Sequence, residues 1–395
     1  MNRKSIRVLA VMLCSLVCIL LGACARQNTG ETGKTQAPAE ETPTAAPVLT
    51  EYQKYLNEKY KDYKEMEYGL DITKKTDLVA ICYTMWFNVI LGSGNKEPTN
   101  VYNISEILAG NGDWGPEHAF HYWGKPALGY YRSTDKKVIR THMKQLADAG
   151  VDFIILDYTY AADGWYGSTD WTSYIQKPCK ALFETITEMR SEGLRTPYVV
   201  FWGETSTIDS DLYENFYKYY YSKEELKDCF VYWEGKPLAL TWTKEEKSNE
   251  KFTVRAMYGL NPDLPPGQWS FLDVVNHPSY DADGFAEQIC VCAASQEHYM
   301  SGADAHGRNH GIFFYEQWKN AFQYRPKIIT LTWWNEWAAQ RNPGNVFVDN
   351  YNVEFSRDIE PMEGGHGDQY YQWMCEYIRA YRAGEECPRL VEEGY

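Results

Sequence analysis

Between residues 78 and 332, short apolar runs alternate with stretches patterned for helices, and few folds accommodate that rhythm. Runs this short and this rich in β-branched and aromatic residues read as buried strands. They lie at 78–83, 151–157, 198–202, 252–257, 269–275, 288–293 and 327–332, with two more on either side of Gly235 within 230–240. After the first run, Val138, Ile139, His142, Met143 and Leu146 recur at helical spacing and stop at Gly150. Glycine suits the left-handed residue that closes a helix. Further helices are expected at 179–190, 211–227, 315–322 and 369–381. Strands alternating with helices require a parallel sheet with crossovers. The expected fold class is therefore α/β, a (β/α)8 TIM barrel with long loops and irregular crossovers. Only about ten residues separate the run near Leu240 from the one near Val254, too few for a crossover helix. An open doubly wound sheet is the alternative, but such sheets bind nucleotides at a Gly-rich first turn, and none is present.

The chain begins with Arg3, Lys4 and Arg7 and then runs uncharged from residue 8 to residue 21. That run is shorter than the roughly 20 apolar residues of a spanning helix. It ends in Leu21-Gly22-Ala23-Cys24, which resembles a bacterial lipobox. Residues 1–23 are expected to be a lipoprotein signal peptide, with Cys24 lipidated and the protein tethered to the membrane on the bacterial cell surface. Residues 24–48 are rich in Pro, Thr, Glu and Gly, cannot bury enough surface to order themselves, and read as a lipid-anchored flexible linker. Residues 49–395 are expected to form one barrel domain. Net charge is −15, which argues against nucleic acid as a partner. Seven cysteines follow Cys24, an odd number without paired Cys-x-x-Cys motifs. Small core residues are the default reading for Cys82, Cys290 and Cys292.

Catalytic residues of a barrel come from the C-terminal ends of its strands. Asp157, Glu204 and Glu336 each follow an apolar run and stand among aromatic residues. Glu336 lies within Trp333-Trp334-Asn335-Glu336-Trp337. A carboxylate among indoles suits a sugar-cleaving site, where aromatic faces stack on pyranose rings and the acid acts at the anomeric carbon. Aromatics make up 15% of the chain, and many follow strands, including Trp86, Trp165, Tyr166, Trp171 and Trp242. Trp86, Tyr131, Trp202, Trp334, Asn335 and Trp337 are candidate sugar contacts. A second acidic cluster holds Asp349, Glu354, Asp358 and Glu360 with Arg357, and reads either as a solvated, ion-paired loop or as the source of an acid. His366, flanked by Gly364, Gly365 and Gly367, is a further candidate. His118 and His121 lack the spacing and third ligand of a metal site, so no metal or cofactor is expected.

Two motifs add a family resemblance. The stretch from Pro126 to Asp135, followed by a helix and then Ala149 to Asp157, resembles the opening of the glycoside hydrolase family 99 and 71 group and the related WbsX-like proteins. Trp334-Asn335-Glu336-Trp337 resembles their late Trp-Asn-Glu-Trp motif, and Ile359-Glu360-Pro361 the Ile/Leu-Glu-Pro that follows it. The likeness spans most of 78–385. It implies a (β/α)8 barrel and, in family 99, endo-cleavage of α-mannosidic linkages with retention. There the motif's Glu acts as base on the sugar's 2-hydroxyl, and a second Glu three residues on acts as acid. This sequence departs at that point, because the third residue after Glu336 is Ala339.

The activity expected is hydrolysis of an O-glycosyl bond inside a polysaccharide or complex glycan by a surface lipoprotein. Glu336 would be base or nucleophile, an acid would come from Asp358 or Glu360, and Asp157 and Glu204 would bind sugar hydroxyls. The alternatives are a non-catalytic glycan-binding lipoprotein and a protein of surface polysaccharide assembly.

Overall fold

The computed structural model describes residues 49–90, 101–160, 171–203, 211–242, 250–258, 266–296, 305–348 and 351–392. The expected signal peptide and linker, Cys24 and Glu204 all lie outside the described residues.

A mostly parallel sheet carries the fold. Its main strands are β1 (Leu78–Thr84), β2 (Phe153–Tyr158), β3 (Tyr198–Gly203), β4 (Lys236–Thr241), β5 (Thr253–Met257), β6 (Gln268–Trp269), β7 (Ala286–Cys292) and β8 (Ile328–Thr332). Their ladder runs β6-β5-β4-β3-β2-β1-β8-β7, parallel throughout. Side chains alternate between two faces, as strand geometry requires. Val79, Ile81, Ile154, Leu156, Val199, Phe201, Ile289, Val291, Ile329 and Leu331 face one cluster. Helices α1 (Lys136–Ala149), α2 (Lys177–Ser191), α3 (Ile312–Tyr324) and α4 (Gln369–Arg382) cover it. The other parity forms a second cluster, with Ala80, Cys82, Ile155, Val200, Leu238, Met257, Trp269, Cys290, Cys292 and Ile328 all buried together.

Helix α1 shows how directly local sequence sets an element. Asp135 caps it by accepting from the Lys137 N–H at 2.9 Å, its apolar face buries Ile139, Met143 and Leu146, and Gly150 ends it at φ 90°. Elsewhere packing overrides the pattern. The helix expected at 211–227 breaks into Asp211–Phe216, a wide turn at Tyr217–Tyr221 and a tight one at Glu224–Cys229. The break lets the Tyr221 hydroxyl accept from the Phe201 N–H and donate to the Leu238 carbonyl, at 3.2 and 3.3 Å. Those groups lie where the pairing of β3 with β4 only begins.

The closed barrel expected from the strand count is not shown by the backbone. The strand expected at 269–275 stops at Trp269, because Leu272 takes a φ of 61° and Asp273 accepts from the N–H groups of Val275 and His277. Among the described residues, β6 and β7 share no ladder. Side chains bridge them instead. The Ser270 N–H donates to Gln288 Oε1 at 2.9 Å, Gln288 Nε2 donates to the Ser270 carbonyl at 3.0 Å, and Trp269 Nε1 donates to Glu287 at 2.6 Å. Further along the same edge of β7, Asn276 Nδ2 donates to the Cys290 carbonyl and the Cys292 N–H donates to Gln317 Oε1 at 3.3 Å.

The end of α1 yields a test of this packing. A Cβ on Gly150 would lie 3.1 Å from Ile378 Cγ2 and 2.8 Å from Arg382 Nη1, whereas one on Gly193, at φ 80°, would meet nothing within 4 Å. Both alanine variants bear the left-handed backbone cost of about 1–2 kcal/mol. Gly150→Ala is expected to lose more stability than Gly193→Ala in urea denaturation, and equal midpoints would contradict the packing of α4 on this turn.

Candidate active site

The C-terminal strand ends surround a cavity of about 310 Å³. Register sets Thr84 beside Asp157, Asp157 beside Trp202, and Trp202 beside Leu240. Asp157 and Trp202 therefore reach one rim from β2 and β3. Trp86 joins from the turn after β1, and Trp333 and Glu336 join from the segment after β8. A ribbon at Ala338–Asn342, paired antiparallel with Phe120–Tyr122, closes one side and contributes Ala338, Ala339 and Gln340.

Apart from Trp242, the rings lining the cavity form two groups. Trp86 lies 5.8 Å from Phe120 and 5.2 Å from Tyr160. Trp202 lies 4.7 Å from Phe271 and 6.2 Å from Trp333. The carboxylates of Asp157 and Glu336 line the same cavity and are 5% and 3% exposed.

Glu336 is held from behind. Its carboxylate pairs with the Arg357 guanidinium, which is itself fully buried. Its backbone N–H donates to Asp358, whose other oxygen accepts from Trp123 Nε1 at 2.6 Å. Arg308 donates to the Asp358 carbonyl at 2.6 Å and to Ser356 Oγ at 2.8 Å. Burial pushes the Asp358 carboxyl up to about 7, against the two N–H donors and the guanidiniums of Arg308 and Arg357, which favour its charged form.

A second buried network lies beside the first. Glu360 accepts from Tyr131 Oη and Trp337 Nε1, both at 2.6 Å, and meets His142 Nε2 at 2.9 Å. His142 Nδ1 lies 2.8 Å from the Tyr83 hydroxyl. Trp337 stacks on Trp123 with centroids 4.4 Å apart. Asn335 clamps the motif to β1: its Oδ1 accepts from the Thr84 N–H at 2.8 Å, and its Nδ2 donates to the Thr84 carbonyl at 3.1 Å.

Of the residues singled out in the sequence, Glu336, Asp157, Trp86, Trp202 and Trp242 line the cavity. Asp358 and Glu360 do not; each is buried with both oxygens engaged, so the placement corrects the expectation that either lies at hand as an acid. Asn335, Trp337 and Tyr131 are likewise part of the supporting networks, and Trp334 packs in the helix-side cluster. His366 sits 6.0 Å from Trp123 and 5.2 Å from Tyr370, off the cavity, and burial holds its imidazole well below the usual histidine range. The expectation of a solvated ion-paired loop around Arg357 is also corrected, since Arg357, Asp358 and Glu360 are all buried. Sequence reasoning missed Trp333 and Phe271 as cavity walls. Strict alternation through Ile329 and Leu331 would turn Trp333 outward and Trp334 inward, but β8 ends at Thr332 and the order beyond it reverses.

No family model matches the chain, and no curated protein sequence matches it. The chain is similar to two solved structures of the GH99 endo-alpha-mannosidase from Bacteroides thetaiotaomicron, one of them in complex with Bis-Tris-propane. The TM-scores are 0.47 and 0.48, with 15% and 16% identity, and each match covers 78% of this chain and 98% of the solved one. A third similar structure is a glycoside hydrolase-like protein, with a TM-score of 0.44 and 11% identity over 77% of this chain and 94% of that one.

The raised Asp358 carboxyl carries a pH signature. A group whose folded value of about 7 exceeds its ordinary 3.8 contributes stability that is complete below the lower value and lost as pH rises through the higher. Wild type should therefore lose up to about 1.4 kcal/mol per pH unit between about pH 4 and pH 7 relative to Asp358→Asn. Urea midpoints of both proteins across that range check it, and parallel profiles would contradict the assignment.

Proposed function

We propose that this protein is a glycoside hydrolase that takes a sugar between the two aromatic walls and reacts at its anomeric carbon through Glu336. The observation that carries the reading is the presence of two carboxylates from different strand ends in one cavity walled by indoles and phenyl rings. Aromatic faces supply stacking for pyranose rings, and carboxylates meet the positive charge of an oxocarbenium-like transition state. A volume of about 310 Å³ matches ligand sites of small-molecule size. Among the described residues lining the cavity there is no lysine or arginine, and the chain's net charge is −15. Both favour a neutral glycan over an acidic one.

The finer parts of the reading have separate supports. A closed (β/α)8 barrel is supported by the single inner cluster drawn from all of β1 to β8 and by the Gln288 bridge. Attack within a chain, on α-linkages, rests on the motif resemblance around Glu336. Anchorage to the bacterial surface through a lipid on Cys24 rests on the lipobox-like leader. A second reading, a silent glycan receptor, is favoured by one observation: Ala339 lines the cavity where the resembled family carries its second acid.

The two readings part in one assay. The protein is incubated with mannans, glucans, arabinans and N-glycans, and new reducing ends are compared with those from Glu336→Gln. Wild type is expected to cleave at least one polymer, with the variant slower by about 1,000-fold or more. Binding without product from either form would favour the receptor.

A further inference from the structure

We propose that Asp157 is the second reacting carboxyl of the cavity, the group that protonates the glycosidic oxygen; this rests on the reading of Glu336 given above. Placement separates the acids. Position 339 is an alanine facing the cavity. Asp358 and Glu360 are buried and committed to indole, phenol, imidazole and backbone partners. Glu354 accepts from the Asn309 N–H and is not part of the cavity wall. Among the described residues lining the cavity, the carboxylates are Asp157 and Glu336.

Their settings divide the work between them. Glu336 is ion-paired with Arg357, which suits it to meet positive charge at C1 and not to bring a proton. Asp157 stands at the end of β2, with only β1 between it and β8, the strand that leads to Glu336. The side chains of Asp157 and Glu336 line the same cavity. Asp157 Oδ1 accepts from the Thr159 N–H at 2.8 Å and from Thr159 Oγ1 at 2.7 Å, which fixes the carboxyl's orientation at the rim. Trp202 is its register neighbour on β3, and Trp202 and Tyr160 line the cavity with it.

In the reaction so assigned, the Asp157 proton passes to the glycosidic oxygen as the C1–O bond breaks, and the leaving chain departs as an alcohol. The Glu336 carboxylate bonds to C1. Water then attacks C1, the bond to Glu336 breaks, and Asp157 takes the proton that the water gives up. Both side chains end as they began.

Asp157→Asn retains an oxygen for both Thr159 donors. With the full-length protein, kcat is measured on whichever polymer of the panel wild type cleaves and on the fluoride of the same glycosyl unit, whose leaving group needs no proton. Asp157→Asn is expected to lose about 10²–10⁴-fold on the polymer yet stay within about tenfold of wild type on the fluoride. Added azide should yield a glycosyl azide from that variant, and Glu336→Gln should fail on both substrates. Equal losses on polymer and fluoride would make Asp157 a sugar-binding residue and overturn the proposal. Full activity of Asp157→Asn on the polymer would overturn it while leaving Glu336 in place. Failure of wild type on the whole panel would remove both readings together.

Discussion

A guanidinium buried without an anion would be among the costliest groups a fold could contain, and Glu336 is the anion that Arg357 meets. The cavity's chemistry follows from that pairing. Removing either partner strands a charge in the interior, so the position of the Glu336 carboxylate is coupled to the integrity of everything packed behind it. Asp358 extends the constraint to the backbone by accepting the Glu336 N–H, and Trp123 and Arg308 tie Asp358 in turn to two other parts of the chain. A reacting group fixed at side chain and main chain alike has little freedom to lose when a ligand arrives, which is how preorganised sites reduce the cost of orientation.

The second network does for the motif as a whole what the first does for one side chain. Asn335 binds both the N–H and the carbonyl of Thr84, so the turn after β8 is latched to the end of β1. Glu360 gathers Tyr131, Trp337 and His142 from three separate segments. Each of its contacts satisfies a polar group that burial would otherwise penalise. Around Glu360, the phenol of Tyr131, the indole N–H of Trp337 and the imidazole of His142 all find a partner.

Much of this was legible in the residues. The apolar runs located most strands of the sheet, because buried parallel strands must be almost continuously apolar. Position at a strand end singled out Asp157 and Glu336, and both line the cavity. What escaped notice depended on distance along the chain or on a broken rule. Trp123 and Asp358 are 235 positions apart, and Tyr131 and Glu360 are 229 apart, so neither partnership leaves a local mark. Without those partners the segment around Arg357 resembles any charged loop. Trp333 was missed because period-two alternation fails once β8 has ended. The shortness of β6 was hidden by an apolar composition that continues past the point where Leu272 turns the chain away.

The amide side chains along the outer edge of β7 have an implication for life among many copies. An unpaired strand edge is a template on which another chain can add its own strand. Here Gln288, Asn276 and Gln317 occupy backbone groups of that edge or of its neighbour with short side chains from the same molecule. Those three side chains are buried, and Ser279–Tyr280 pairs antiparallel with the start of the same strand, so the edge is filled from within the molecule. Three carboxamides and one short strand thus deny a foothold to the intermolecular sheet growth that crowding would otherwise encourage.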